Sequence, residues 1–282
     1  MFNLLFRVFW RVAIFAAGIA IIWFTAFRMY PFAHARMPFY VALFLLYCFI
    51  AYVAIPALIR AFRLVIKPNR IPLYVTMSDG WPSDPVNLAI IVKNRQHLQK
   101  SMEKAGWFTA DPSTFKNLVL EILSIVFNTP YERAPFTKLY LFNRPHDIGF
   151  EIPLNPAGSA RTRHHVRFWR LEPPARDEKD SSHYKFWSHK LRHLFNSDRE
   201  IWVGAATEES HTIDIQWHTG QLNHGGNQYS NRERDFIINS LKQTHQVSSV
   251  YSTEAGDSLK FRGQQFNVFY TTDGGIKVAR LK

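Results

Sequence analysis

The sequence predicts an α+β protein: a transmembrane hairpin of two helices at the N-terminus, followed by a soluble domain with a mainly antiparallel mixed sheet and several helices. Three observations predict this fold. Two long uncharged runs lie within the first 60 residues. Beyond residue 137 the spacing of apolar residues changes from a helical period to alternation, which is typical of strands. Helical and strand-like segments do not alternate regularly, which argues against a purely parallel α/β sheet.

The hairpin is predicted over residues 1–70. Residues 12–27 and 37–59 contain no charged side chain, and a spanning helix needs about 20 apolar residues. The second run meets that length, and the first does so if its flanking arginines reach the membrane interface. Pro56 is expected to kink or end the second helix. A signal peptide is the alternative for the first run, but no cleavage pattern follows it and a second span comes soon after.

The distribution of charge predicts the orientation of the hairpin. The net charge is +12, yet residues 1–70 carry eight Lys or Arg and no Asp or Glu. The excess therefore belongs to the membrane segment, and no nucleic-acid partner is expected. Six of these basic residues flank the outer ends of the hairpin and two lie between the runs, so the positive-inside rule places both termini in the cytoplasm. The single cysteine, Cys48, excludes an internal disulfide and a CxxC site.

Residues 71–85 are rich in Pro, Ser, Asp and Gly, which predicts a linker, so the soluble domain is expected over 86–282. The apolar run 86–92 predicts a buried strand. Helices are predicted over 94–105 and 111–128. The second of these has an apolar stripe that we expect to pack on the sheet: Phe115, Leu118, Val119, Ile122 and Val126.

Most of the remaining chain is predicted to form strands. They are expected at 139–143, 147–152, 164–172, 200–206, 211–218, 247–252, 265–271 and 276–281. A helix is predicted at 230–244, because Ser230 and Glu233 have the spacing of a capping box. The sequence 273–275, Asp-Gly-Gly, predicts a hairpin turn between the last two strands.

Residues 161–170 hold the densest concentration of chemically capable side chains, with several arginines and two adjacent histidines. Side chains alternate between the two faces of a strand. His164 is therefore expected on one face and His165 with Arg167 on the other. From a regular strand the two histidines cannot both ligate one metal ion.

A loop containing glycine and serine, 156–159, leads into this strand, and Arg161 and Arg163 follow it. Guanidinium groups bind phosphate and carboxylate bidentately, so the arrangement suits an anionic ligand. The alternative is structural: His165 and Arg167 would form a solvent-exposed face, and His164 would be a hydrogen-bonded core histidine.

Several short motifs follow one another in a fixed order over residues 80–245. They are 84–89, 105–107, 130–142, 164–169, 202–207, His224 and 233–236. Each is weak alone, but in this order they resemble the LssY C-terminal domain family. The resemblance favours a functional role for the histidine strand over the structural alternative.

The resemblance implies a bacterial domain without an assigned activity, which often lies in membrane proteins beside lipid-phosphatase-like or DedA-like segments. The matching positions are His164, His165, Arg167, Trp169, Gly204, Thr207, His224, Arg234 and Asp235. The chain departs from the family pattern in two places. It has only 223–226 where a fuller His-His-Ile-Asp stretch is usual, and Glu208 and Glu209 are the candidates for an acid that commonly follows Gly-Ala-Ala-Thr.

The residues and the resemblance together predict one pocket in which acid/base and anion-binding groups meet. The expected catalytic residues are His165, His224 and Asp235, and the expected ligand-binding residues are Arg161, Arg163, Arg167, Thr207 and Arg234. A divalent metal ion is a candidate cofactor. Structural alternatives stand beside this hypothesis: an acid in the first turn of a helix favours the helix dipole, and the small residues 204–206 also suit dense sheet packing.

No GxSxG, P-loop, GxGxxG or HExxH motif is present in the sequence, which excludes the common serine-hydrolase, NTPase and dinucleotide-binding classes. Two functions remain. The first is a cytoplasmic domain, anchored in the inner membrane of a bacterium, that binds or hydrolyses a phosphate-bearing ligand or lipid head group. The second is a non-catalytic module that docks a membrane-protein partner.

Overall fold

The computed structural model describes residues 2–59, 73–173, 184–195, 197–255, 259–262 and 269–282. Two helices, Val12–His34 and Phe39–Ile59, are long and apolar enough to cross a membrane. The first comprises α1 (Phe2–Phe24), a π-helical segment (Thr25–Met29) and α2 (Tyr30–His34), and the second begins with α3 (Phe39–Phe49). The first helix thus continues past Arg28, and the connection between the two helices is shorter than expected.

The sequence predicted that Pro56 kinks or ends the second helix. The helix in fact continues past Pro56 to Ile59. A π-helical segment, Ile50–Ala54, precedes the proline. In a π-helix the carbonyl of Ala51 would accept from the backbone of Pro56, which has no N–H. The side-chain amide of Gln221 donates to this carbonyl instead, at 2.7 Å. The hairpin is therefore joined to the soluble domain at the middle of its second helix.

The soluble domain has thirteen strands and four helices among the described residues. The strands are β1 (Tyr74–Thr76), β2 (Pro82–Val92), β3 (Phe108–Thr109), β4 (Tyr140–Leu141), β5 (Arg144–Pro145), β6 (Ile148–Pro153), β7 (Arg163–Arg170), β8 (Glu200–Ile215), β9 (Leu222–Gly226), β10 (Val247–Glu254), β11 (Leu259–Arg262), β12 (Phe269–Thr272) and β13 (Gly275–Leu281). The helices are α4 (Arg95–Lys104), α5 (Phe115–Phe127), α6 (Tyr184–His193) and α7 (Ser230–Gln243).

Eleven of these strands form one sheet, with the central order β3-β6-β7-β8-β2-β1-β4-β5. Strand β9 extends the sheet beside the second half of β8, and β13 pairs with both β2 and β10. All described pairings are antiparallel except that of β13 with β2. The predicted α+β fold with a mainly antiparallel mixed sheet is confirmed.

The sheet is buried on both faces by two apolar clusters. On one face, helices α4 and α7 pack through Leu98, Met102, Ile237 and Leu241. On the other face, β1, β4 and α6 contribute Val75, Leu141 and Leu191. The candidate site lies further along this second face.

Three predictions about the elements are wrong. The predicted linker 71–85 contains β1 and the start of β2, and Val75 in it is fully buried. The strands predicted at 200–206 and 211–218 are one strand, β8. Asp273–Gly275 does not join a hairpin of the last two strands, because β13 pairs with β10 and β2 while β12 pairs with β11.

Helix α5 buries the opposite side to the one expected. Its apolar residues are exposed, including Phe115 (84%), Ile122 (59%) and Val126 (59%), whereas Glu121 and Ser124 face the interior. The helix begins with a side-chain cap from Thr114 and ends at Asn128 in a left-handed conformation. It is therefore a regular helix whose polar side, not its apolar side, points into the protein.

Candidate functional site

A cavity of about 760 Å³ lies between α5, β7, β8 and β9. Five of the predicted site residues line it: Arg163, His165, Arg167, Thr207 and His224. They are joined by residues that were not among the predicted catalytic or ligand-binding groups, notably Asp84, Glu121, Glu209 and Tyr270.

The register between β7 and β8 brings these side chains together. His165 lies opposite Thr207, and Arg163 lies opposite Glu209. Because side chains alternate along a strand, all four residues point to the same face of the sheet. The alternative of a solvent-exposed face is wrong, since His165 is 3% exposed and Arg167 is 4% exposed.

Arg163 is the centre of a buried ionic network. Its guanidinium donates to Glu209 Oε2 at 2.8 Å, to Glu151 Oε2 at 2.8 Å and to Glu121 Oε1 at 3.0 Å. It also donates to the carbonyl of Ala134 at 3.2 Å. Since its donors are directed at these groups, Arg163 holds α5, β6 and β8 together and was predicted in a different role, as an anion ligand.

The three carboxyl groups around Arg163 differ in protonation. Burial opposes ionisation of Glu209, but the positive charge of Arg163 and the neighbouring histidines outweigh it and lower its pKa to about 2. Burial raises the pKa of Glu151 to about 8 against the charge of Arg163. Burial also raises the pKa of Glu121. Glu209 therefore stays ionised at neutral pH, while Glu151 keeps its proton to higher pH than an ordinary glutamate.

His165 and Arg167 are in direct contact at the base of the cavity. Nη1 of Arg167 lies 2.6 Å from Nε2 of His165. A guanidinium only donates hydrogen bonds, so Nε2 accepts and the proton of the neutral ring is on Nδ1. Nδ1 lies 3.4 Å from Oε1 of Glu209 and has no hydrogen-bond partner among the described residues. Burial, and then the charge of Arg167, hold the pKa of His165 well below its usual value.

An aromatic ring fixes this pair from one side. Phe136 stacks on the ring of His165, with centroids 5.3 Å apart, and Cζ of Arg167 lies 4.5 Å from its centroid. The ring can take this place because residue 149 is a glycine. A Cβ at Gly149 would overlap the Phe136 ring.

Asp84 is the acidic partner of Arg167. Its Oδ2 lies 3.5 Å from Nη1 of Arg167, and the side chain is almost fully buried. Burial raises the pKa of Asp84, while the charge of Arg167 and the hydroxyl groups of Thr207 and Tyr270 lower it. The net shift is upward, so Asp84 holds a proton to higher pH than an ordinary aspartate.

His224 lies on β9 and lines the cavity opposite His165. Burial lowers its pKa, against the negative charge of Glu209. Both cavity histidines are therefore neutral at pH 7, and both are influenced by the same carboxylate.

The other predicted site residues lie elsewhere. Arg161 donates to the carbonyls of Ile125 and Val126 at the end of α5. Arg234 pairs with Asp235 and Asp273. Asp235 also accepts from Lys277 at 2.6 Å and lines a separate cavity of about 210 Å³. The prediction that Asp235 joins the His165 pocket is wrong.

His164 occupies the opposite face of β7, as alternation predicts. Its Nδ1 lies 2.9 Å from Oε2 of Glu233, and its ring stacks on Phe236. Glu233 therefore does not complete the expected capping box, and Ser230 donates to the carbonyl of Thr271 instead. In the described part of the chain, no group of three or more His, Cys, Asp or Glu is arranged to hold a metal ion.

The structural alternative for the small-residue strand is supported at Gly204. A Cβ there would come within 2.8 Å of the Phe168 ring, on the face away from the cavity. Gly204 thus permits dense packing between β7 and β8, and a ligand role is not needed to explain it.

Of the four buried acids near the cavity, Glu209 could have been found from the sequence. Glu209 is two residues beyond Thr207 and so shares its face of the strand, whereas Glu208 points away. Asp84 was hidden because Pro82 and Pro85 mimic a linker, although both lie in strand β2. The burial of Glu121 and Glu151 could not be predicted from the sequence, since it depends on their long-range contacts with Arg163.

The arrangement combines a buried cation with a proton-holding acid and a neutral histidine. Arg167 can bind an anionic oxygen, Asp84 can donate a proton to it, and His165 can accept a proton if Arg167 releases Nε2. The cavity is lined mainly by apolar atoms towards its opening, where Leu118, Ile122 and Ile213 lie.

A family model described as LssY C-terminus matches residues 69–275. No curated protein matches the chain, and no solved structure matches it.

Proposed function

The chain belongs to the LssY C-terminus family, and from this premise we propose that it is a bacterial inner-membrane protein whose cytoplasmic domain binds a phosphate-bearing ligand in the cavity at His165 and Arg167. The two apolar helices would anchor the domain, with both termini in the cytoplasm. Arg167 would contact the phosphate, and Thr207 and His224 would line the same site.

One observation carries this proposal: the two buried arginines are compensated differently. Arg163 faces three carboxyl groups within 3.0 Å. Among the described residues, Arg167 has a single carboxyl within 4 Å, that of Asp84. Burial raises the pKa of Asp84, so this single nearby carboxyl compensates the charge of Arg167 less completely than an ordinary aspartate would. A buried charge without a partner is costly, and a ligand phosphate would supply the missing negative charge.

The proposal assigns a sequence of contacts to the same residues. A phosphate oxygen would draw Nη1 of Arg167 away from His165 and accept a hydrogen bond from protonated Asp84. Nε2 of His165 would then become available as a base, with Glu209 facing its Nδ1–H. Hydrolysis of the ligand would use this base to activate water.

The second candidate function is a non-catalytic module that binds without turnover and places a membrane-protein partner. One observation favours it: Nε2 of His165 is held by Arg167, and Asp235, the expected orienting acid, lies outside the cavity. Among the described residues that line the cavity, no nucleophile and base are therefore paired in advance.

Binding and turnover can be separated with the full-length chain in detergent micelles. The probes are inorganic phosphate and dihexanoyl phosphatidic acid, titrated by calorimetry. Arg167→Met should abolish binding, Asp84→Asn should preserve or strengthen it, and Arg234→Met, outside the cavity, should leave it unchanged. Equal affinity of Arg167→Met and the native chain would reject the proposal.

The same proteins decide between the two candidate functions. Release of inorganic phosphate from dihexanoyl phosphatidic acid by the native chain, lost in His165→Gln while binding persists, would identify a hydrolase. Binding without release would identify the non-catalytic module.

A further inference from the structure

The opening of the cavity is surrounded by exposed apolar side chains that nothing in the described part of the chain covers. Four of those that line the cavity are more than half exposed: Ile122 and Val126 of α5, Ile213 of β8 and Leu222 of β9. We refer to these four residues as the apolar rim. Their exposed fractions are 59%, 59%, 66% and 57%. Large exposed apolar patches on a soluble domain mark an interaction surface.

The apolar rim continues outward on both sides. On α5 it extends to Phe115 and Phe127, and on β8 to Ile215, all of which are exposed. The interior side of α5 carries Glu121, which is bound to Arg163. The buried ionic network therefore fixes which side of α5 faces the interior. Its apolar side faces outward as a consequence.

The rim is joined to the second apolar helix by three hydrogen bonds. Tyr47 donates its hydroxyl to the carbonyl of Gly220 at 2.6 Å, Gln221 donates to Ala51, and the backbone of Leu222 donates to the Tyr52 hydroxyl at 3.3 Å. At a rise of 1.5 Å per residue, Ala51 lies about 12 Å from the end of that helix at Ile59. If the helix spans the membrane, residues 220–222, where β8 connects to β9, lie at the level of lipid and not of water.

We infer that the apolar rim is inserted in the membrane leaflet and that the cavity receives its ligand sideways from the bilayer, as a phospholipid. The phosphate would reach Arg167 at the base, and the acyl chains would lie along the rim. The occupant of the rim is thus lipid. This inference rests on the proposed function for the phosphate contact and names the chemical class of the ligand.

The geometry of the cavity agrees with an amphiphilic ligand. Its base holds the buried pair His165 and Arg167, and its opening is formed by the rim. Lys138 also lines the cavity and is exposed, so its ammonium group can remain at the polar head-group level while the rim contacts acyl chains. A phosphate ester without acyl chains would leave the rim unused.

Insertion is tested with the full-length chain in phosphatidylcholine vesicles whose acyl chains carry bromine. In a Cys48→Ala background, Ile122→Cys and Ile213→Cys are labelled with an environment-sensitive fluorophore, and Ser249→Cys, exposed on β10, is the matched control. Fluorescence at residues 122 and 213 should be quenched by brominated lipid and unaffected at residue 249. A fluorophore at 122 or 213 that stays in water, or is shielded without quenching because a protein covers it, would overturn the inference.

The class of ligand is tested by comparing dihexanoyl phosphatidic acid with glycerol 3-phosphate, which has the same phosphate monoester but no acyl chains. The native chain should bind the lipid at least about tenfold more tightly, because acyl groups are removed from water. Equal affinities would overturn the inference and leave phosphate binding intact. Adding Arg167→Met to Ile122→Cys should preserve the quenching, which separates a failure of insertion from a failure of the phosphate site.

Discussion

Nη1 of Arg167 lies 2.6 Å from Nε2 of His165, so a positively charged group occupies the nitrogen on which this histidine would accept a proton. Burial, and then this contact, explain why a histidine with a nearby carboxylate, Glu209, is nevertheless neutral. It also makes Arg167 the residue that controls whether His165 can act as a base.

Replacement of Arg167 by methionine should raise the pKa of His165. The change removes a neighbouring positive charge and frees Nε2, although burial remains and still opposes protonation. The measurement is an NMR titration of the chain labelled in its histidine rings, with His165→Gln used to assign the resonance. Arg170→Met, which removes an equal charge from the exposed end of β7, should not move the titration. An unchanged His165 titration in Arg167→Met would contradict the assigned contact.

Replacement of Arg163 by methionine should destabilise the domain strongly. It leaves three buried carboxyl groups without their partner, and breaking a buried ionic network typically costs about 3–5 kcal/mol. Arg170→Met is the control, because Arg170 pairs with Glu200 in a half-exposed setting, where an ion pair contributes ~1 kcal/mol or less. Apparent melting temperatures from tryptophan fluorescence compare the two. A similar loss in both variants would argue against the central role of Arg163.

Ionisation of Glu151 should destabilise the domain as the pH rises towards 8, and Glu151→Gln should remove this contribution. The pKa of Glu151 is raised from 4.5 to about 8 in the folded protein. The stability that protonated Glu151 contributes is therefore fully present below its unfolded pKa, and it is lost as the pH rises through its folded pKa. The glutamine retains a hydrogen-bond acceptor for Arg163 but does not titrate.

Melting temperatures of the native chain, Glu151→Gln and the partly exposed control Glu200→Gln, measured between about pH 5 and 8, test this expectation. Relative to the native chain, Glu151→Gln alone should become more stable as the pH rises. Glu209 contributes with the opposite sign at acid pH: its pKa is lowered from 4.5 to about 2, so its stabilisation is present above the unfolded pKa and is lost as the pH falls towards 2. Identical slopes in all three proteins would contradict a protonated Glu151.

A reporter fused after Lys282 should be active in the cytoplasm. The expectation follows from the six basic residues at the outer ends of the hairpin against two between its helices. Green fluorescent protein should fluoresce and alkaline phosphatase should be inactive at this position. A fusion after Arg36, between the two helices, should give the reverse pattern. Active alkaline phosphatase after Lys282 would overturn the orientation and move the site to the other side of the membrane.

Much of the fold follows from local sequence patterns. The apolar runs predicted both apolar helices, and alternation predicted β7 with the separation of His164 from His165. The same alternation could not distinguish a solvent-exposed face from a buried one at His165 and Arg167, because their burial depends on contacts with Phe136 and Asp84 from distant parts of the chain. The carboxyl groups of Glu121, Glu151 and Glu209 reach Arg163 from three different elements, a relationship that the linear sequence does not contain.

Helix α5 shows why the prediction that its apolar stripe packs on the sheet failed. An amphipathic helix buries its apolar side when water surrounds the domain. Here Glu121 is bound by Arg163 on the interior side, and the apolar side of the helix faces outward. Asp235 failed for a different reason: its place on α7 could be predicted locally, but the residues around it depend on β13, through Lys277.

The most direct test of the account is to locate a bound phosphate ligand in the chain. A phosphatidic acid analogue with a photoreactive group beside its phosphate is added to membranes containing the full-length protein, and labelled peptides are identified by mass spectrometry. If the phosphate binds at Arg167, we expect labelling of β7 and β8 near residues 163–167 and 207–209. This labelling should be lost in Arg167→Met and retained in Arg234→Met. Labelling confined to the apolar helices at residues 12–59, or unchanged in Arg167→Met, would contradict it.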